Sequence, residues 1–244
     1  MAPRLLPVLV LGLLLTGCGG DEEAGQGDPA TDTTQSPSAS EPGTGSAEPG
    51  TQTGTTSSSS PPEGQPGVRV TGAVASDLEV PWGLDFLPDG RALVTERDRG
   101  TISVIGGAEV RQVGVIPETF PTSEGGLLGL AVSPDFESDR QVFVYVTTEA
   151  DNRVLAMRFD GEAISDVRPI LTGIPAGVIH DGGQLEFGPG GFLYVSTGET
   201  GDEDLAQDPD SLGGKILRIT TSGQPAPGNP DPDSPVWSLG HRNV

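Results

Sequence analysis

The sequence predicts an all-β fold of the propeller type, and three observations carry that prediction. Short runs rich in Val, Ile, Leu and Tyr recur along the C-terminal part of the chain, with Gly-, Asp- and Pro-bearing turns between them. Three segments share one design: Pro81 to Glu96, Gly126 to Thr147 and Val178 to Glu199. In each, a Gly-flanked apolar run ends at a proline (Pro88, Pro134 or Pro189), turns, and resumes with Val- or Tyr-rich residues. Those prolines stand 46 and then 55 residues apart with no long amphipathic helix pattern between them, the spacing of four-stranded blades that send loops to a common axis.

The chain opens with Arg4, an apolar run from Leu5 to Leu15, and then Leu15-Thr16-Gly17-Cys18. Eleven apolar-type residues are too few to span a bilayer, so the run reads as an export signal. The tetrapeptide resembles the bacterial lipobox, which makes residues 1–18 a lipoprotein signal segment and Cys18 the lipidated first residue of the mature protein. The alternative is an ordinary signal peptide with an incidental cysteine. Cys18 is the only cysteine of the 244 residues, so no intrachain disulfide is possible. The expected location is extracytoplasmic, with the protein tied to the bacterial cell membrane through Cys18.

Residues 19–67 contain no aromatic residue and no Leu, Ile or Val, and carry acidic residues without Lys or Arg. They have nothing to bury against the entropy of ordering, and the composition predicts a disordered acidic Gly/Ser/Thr/Pro tether.

The globular part spans residues 68–244. It has 12 basic against 27 acidic residues, a formal charge of −15. No basic stripe exists to neutralise phosphates, so nucleic acid is excluded as a partner. Strand-like runs are expected at Val68 to Val74, Leu84 to Leu87, Ala92 to Glu96, Ile102 to Ile105, Val110 to Val115, Leu127 to Val132, Val142 to Thr147, Val154 to Phe159, Leu185 to Phe187, Leu193 to Ser196, Lys215 to Ile219 and Val236 to Leu239. Asp89-Gly90, Gly106-Gly107, Asp160-Gly161 and Ser222-Gly223 supply turns between them. Grouped by the repeat, these runs make about three four-stranded blades. Val244 follows what reads as the start of a further blade, so the chain is expected to hold only part of the ring.

Chemistry is expected at the turn around His180. Gly182 and Gly183 permit backbone angles that residues with a Cβ resist, and they hold a histidine at the mouth of the hairpin that turns at Gly188-Pro189-Gly190-Gly191. The only other histidine, His241, falls in a loop that the repeat places on the same side. A lone histidine in a Gly-rich turn is also often a turn residue and no more, and Arg242 could cap a strand. Lys215 reads as structural, because the phosphate-loop pattern around it is broken at Pro209 and Ile216. The acidic loops Glu199 to Asp210 and Asn229 to Asp233 lack the sixth-position Gly of a calcium loop and are expected to be solvated. There is no Gly-x-Ser-x-Gly elbow, no dinucleotide Gly-x-Gly-x-x-Gly and no Cys/His zinc spacing.

The pieces VPWGLDFLPDGRALVTER, EGGLLGLAVSPDF, HDGGQLEFGPGGFLYVSTGE, GGKILRI and SLGHRN, in that order, resemble the N-terminal half of the soluble glucose/sorbosone (aldose sugar) dehydrogenases that use pyrroloquinoline quinone (PQQ). The resemblance covers residues 68–244. It implies a six-bladed β-propeller, of which roughly the first three blades are present, with PQQ over the central channel and Ca²⁺ on the quinone oxygens. It also implies oxidation of an aldose at its C1 hydroxyl, with electrons passing on to an external acceptor. By motif position His180 matches the general base, a role that suits an imidazole because it titrates near neutrality. Arg242 and Asn243 match cofactor contacts. A guanidinium there would stabilise negative charge developing on a quinone carbonyl. Glu124 matches a glutamine that lines the site of the glucose enzymes.

Two departures bear on the substrate. The acidic residue that precedes the base in the glucose-specific enzymes is Ile179 here, while Asp181 stands on its other side and becomes a candidate substrate contact with Glu124. Glu124 for glutamine adds a charge and removes a donor. Metal ligands and the remaining cofactor contacts are expected beyond Val244, so the three blades alone are expected to be inactive. Two other functions fit the same scaffold: a non-catalytic envelope propeller that binds a glycan or a protein, and a propeller lactonase.

Overall fold

The computed structural model describes residues 69, 71–107 and 109–244. The expected signal segment with Cys18 and the expected tether lie outside the described residues.

Twelve strands in these residues form three antiparallel sheets of four. The first sheet contains β1 (Pro81–Phe86), β2 (Ala92–Glu96), β3 (Thr101–Gly106) and β4 (Glu109–Val115). The second contains β5 (Leu127–Val132), β6 (Gln141–Thr147), β7 (Asn152–Phe159) and β8 (Ile164–Ile174). The third contains β9 (Gly182–Phe187), β10 (Leu193–Thr197), β11 (Lys215–Ile219) and β12 (Val236–Leu239). Each sheet is a plain meander in chain order. Two short helices interrupt the pattern, α1 (Phe136–Asp139) after Pro134 and α2 (Glu203–Gln207) in the acidic loop.

Local turn chemistry starts the hairpins. In the first, Leu87 N donates to Arg91 O at 2.8 Å and Gly90 N to Leu87 O at 2.9 Å, closing the turn at Pro88-Asp89-Gly90. Gly188 N to Phe192 O, at 3.0 Å, does the same for β9 and β10. The sheets then stack because strand side chains alternate between faces. Along β6, Val142, Val144 and Val146 join a core shared with Leu93, Ile102 and Val104 of the first sheet. Phe143 and Tyr145 of the same strand point the other way, into a core shared with Leu185, Val195 and Leu217 of the third. The middle sheet is thus buried on both faces, and each such Val or Leu contributes about 1.5–3 kcal/mol by leaving water. The Phe143 and Phe187 rings meet edge to face at 5.4 Å, which locks the second sheet on the third.

The first strands of the sheets are neighbours, β1 beside β5 and β5 beside β9, as expected of blades around one axis. Their approach is close: a Cβ on Gly129 would lie 2.1 Å from Gly183 O. Polar links run across the gap. Thr95 Oγ1 donates to Leu128 O at 2.5 Å, and Asp85 Oδ2 accepts from Val132 N at 2.7 Å.

The strand expectations hold with one exchange. The expected run Val68 to Val74 lies outside every strand over its described residues, and β8 takes a place that no expected run filled. β8 is an edge strand exposed over most of its length, and its pairing with β7 shifts register repeatedly. Such a strand needs no apolar alternation and tolerates Pro169, so its sequence carries little strand signal.

Candidate functional site

The site is assembled where the chain enters β9, leaves β10 and passes β12. His180 precedes β9 with φ of 58°, in the left-handed region that a side chain resists at a cost of about 1–3 kcal/mol. The surroundings hold it there. Its N–H donates to Glu124 Oε2 at 2.7 Å, and its carbonyl accepts from Thr200 N at 3.3 Å. Tyr145 Oη donates to the carbonyl of Asp181 at 2.8 Å, and Asn243 Oδ1 accepts from Gly182 N at 3.0 Å. Glycine is required opposite: a Cβ on Gly198 would lie 1.8 Å from His180 O.

The register of the third sheet supplies the partner. Gly182 pairs with Thr197, so the residues before β9 face those after β10. His180 Nδ1 meets Glu199 Oε1 in a short, buried contact. Glu199 is 5% exposed, which corrects the expectation that Glu199 to Asp210 is a solvated loop from its first residue. Its carboxyl is held below the ordinary range by the His180 contact first, then by Gly201 N at 2.9 Å and the nearby charge of Arg242. A carboxylate on Nδ1 fixes the tautomer with hydrogen there and leaves Nε2 as the free acceptor. Sequence reasoning missed Glu199 as a partner, although counting back through the hairpin from the Gly-Pro-Gly-Gly turn would have placed it opposite His180.

The segment Gly240 to Asn243 runs beside this pair. Glu199 N donates to Arg242 O at 2.8 Å, and His241 N to Gly214 O at 3.0 Å. A cleft of 470 Å³ opens between these loops, with His180, Glu199, Ile179, Glu203, His241 and Arg242 in its wall. Helix α2 forms one side and is pinned from beneath. Lys215 is fully buried, and its Nζ donates to Leu205 O at 2.6 Å, Gly213 O at 2.7 Å and Ala206 O at 3.2 Å. Burial pushes its pKa down, and three carbonyls satisfy its three donors, a structural role as expected.

Of the expected site residues, His180 and Arg242 share the cleft, and Glu124 with Asn243 lies beside it. Asn243 Nδ2 donates to Glu124 Oε2 at 3.3 Å, and both line a smaller hollow with Trp82 and Arg97. Asp181 contributes to the lining of the same hollow, but its carboxyl turns inward. It is 1% exposed, and its Oδ1 accepts from Asn152 Nδ2 at 2.9 Å and Gly177 N at 3.0 Å. No group of three or more His, Cys, Asp or Glu side chains placed to hold a metal occurs among the described residues.

Residues 78–244 match the family described as glucose/sorbosone dehydrogenase, over more than half of the chain. The chain belongs to the glucose/sorbosone dehydrogenase family. An aldose sugar dehydrogenase from Escherichia coli K12 is 28% identical over 190 residues, covering 68% of this chain and 49% of that protein. Quinoprotein glucose dehydrogenase B of Acinetobacter calcoaceticus is 27% identical over 208 residues, 70% of this chain and 44% of that one. Among solved structures, the PQQ-bound aldose sugar dehydrogenase of Streptomyces coelicolor is 49% identical with a TM-score of 0.70, covering 72% of this chain and 55% of that chain. The chain spans about half the length of the curated relatives it matches. Its three sheets match the propellers of these glucose/sorbosone dehydrogenase relatives.

Proposed function

We propose that the protein oxidises an aldose at its C1 hydroxyl with PQQ as the electron acceptor, and that His180 is the general base. The observation that carries this reading is the His180–Glu199 pair in the wall of the 470 Å³ cleft. An imidazole whose Nδ1 is held by a buried carboxylate presents Nε2 as a proton acceptor of fixed orientation. The aldose hydroxyl proton goes to Nε2, and Glu199 stabilises the imidazolium that results.

The residues present fit a planar, anionic quinone. Arg242 sets an exposed guanidinium at the cleft close enough to Glu199 to be felt by it, and a guanidinium matches carboxylate and carbonyl oxygens. Arg242 and Asn243 would hold the cofactor. Bound there, PQQ would supply the acceptor for the hydride that leaves C1 as the hydroxyl proton departs. Glu124 orients the base by accepting from its backbone N–H, and as part of the wall of the hollow beside the cleft it is the proposed substrate contact. The Glu124 and Ile179 departures support the broader aldose branch over strict glucose specificity. Calcium is proposed from the family resemblance; among the described residues no group of three or more His, Cys, Asp or Glu side chains is placed to hold it. The external electron acceptor and the lipid anchor at Cys18 are proposed on the same footing, from sequence.

The test is dye reduction by the full gene product loaded with PQQ and Ca²⁺. Aldose-dependent reduction is the expected result. Tight PQQ binding with no oxidation of any aldose would replace this reading with that of a binding propeller.

A further inference from the structure

The carboxyl of Asp181 does nothing in the mechanism, yet it is buried beneath the base. Its Oδ1 has two donors, Asn152 Nδ2 and Gly177 N, while its Oδ2 is buried without a partner among the described residues. Asn152 Oδ1, on the same amide that holds the carboxyl, is equally buried and equally without one. An ionised aspartate has no donor to offer, so both acceptors would stay orphaned at about 1–3 kcal/mol each. Flipping the amide gives no relief, because Asn152 Nδ2 also donates to Pro175 O at 2.7 Å. One proton on Asp181 Oδ2, donated to Asn152 Oδ1, would resolve both. A carboxylic acid and a primary amide pair through two hydrogen bonds, N–H to one carboxyl oxygen and O–H to the amide oxygen.

We propose that Asp181 is a positioning residue that works as a neutral carboxylic acid, donating from Oδ2 to Asn152 Oδ1, and that this acid–amide pair holds the loop from Gly177 to Gly182 that carries His180. The surroundings favour the proton. Burial pushes the carboxyl above its ordinary value and the Glu124 charge adds to this, against the Asn152 and Gly177 hydrogen bonds and the charge of His180. The other ionisable groups nearby are Arg97, already paired with Asp98, Glu199 behind His180, Asp151 next to Asn152 and paired with Arg153, and Tyr145. Burial raises the Tyr145 phenol well above its usual range, so it remains the donor to the Asp181 carbonyl. The positioning role rests on His180 being the base; the protonation of Asp181 does not.

The two parts separate experimentally. Carbon-13 NMR of aspartate-labelled gene product should show the Asp181 carboxyl titrating above ordinary aspartates, with the His180 ring resonances shifting at the same midpoint. An acid that the fold keeps protonated binds its proton where the unfolded chain has released it. Stability should therefore fall as pH rises from the ordinary carboxylate value through the folded one. D181N keeps the shape and puts a non-titrating N–H donor in place of the acid's O–H, so it should abolish that slope, retain kcat within about threefold and remove any loss of activity over that pH window. D181A should lower kcat on the order of tenfold or more with little change in KM. Titration of Asp181 at or below the ordinary value, or a D181N pH profile identical to wild type, would overturn the proposal. If no aldose is oxidised at all, the NMR and stability results still decide the protonation.

Discussion

The imidazole of His180 and the carboxylate of Glu199 are 19 residues apart in the chain and in direct contact in the fold, brought together by the antiparallel pairing of β9 with β10. In the proposed mechanism this contact turns the histidine from a turn residue into a directed base, and the catalytic predictions below depend on it.

Glu199→Gln replaces the anion on Nδ1 with a neutral amide of the same shape. The proposed mechanism predicts a fall in kcat of about a hundredfold with KM little altered, because the amide neither fixes the tautomer nor stabilises an imidazolium. Steady-state kinetics of the two proteins checks this. The same variant has a stability signature. Glu199 is held below the ordinary carboxylate range, so its contribution is complete above that range and is lost as pH falls through the folded value. Urea midpoints followed into acid should drop more steeply for wild type than for the variant.

Lys215→Met removes the buried ammonium and strands three carbonyls that now share it. A loss of about 2–4 kcal/mol is expected, measured by denaturant unfolding. Since α2 walls the cleft, PQQ affinity should weaken as well.

Cys18→Ser tests the anchor. The mature wild-type protein should partition into detergent and the variant into the aqueous phase. Equal partitioning of the two would remove the lipid anchor.

The strands with tight turns were legible in the sequence because their hairpins are set locally, as at Pro88-Asp89-Gly90 and Gly188-Pro189-Gly190-Gly191. β8 was not legible, because an exposed edge strand with Pro169 and a broken register does not alternate. His180, Arg242 and Asn243 could be read from motif order, and the fold puts them at the cleft or beside it. The orientation of acidic side chains was hidden. Glu199 reads as the first residue of an acidic loop, and only strand register brings it to His180. Asp181 reads as a candidate substrate contact beside His180, and only burial against Asn152 shows that its carboxyl points inward. Lys215 was read correctly as structural because the pattern around it excluded a phosphate loop, though nothing in the sequence named its three carbonyls.

The most direct measurement is turnover of the PQQ-loaded gene product with His180→Ala, assayed with and without added imidazole. Turnover should fall by about a hundredfold or more, the scale of a lost general base, while PQQ still binds, and imidazole should restore part of it. Turnover within a few-fold of wild type, with the quinone bound, would contradict the assignment of His180 as the base.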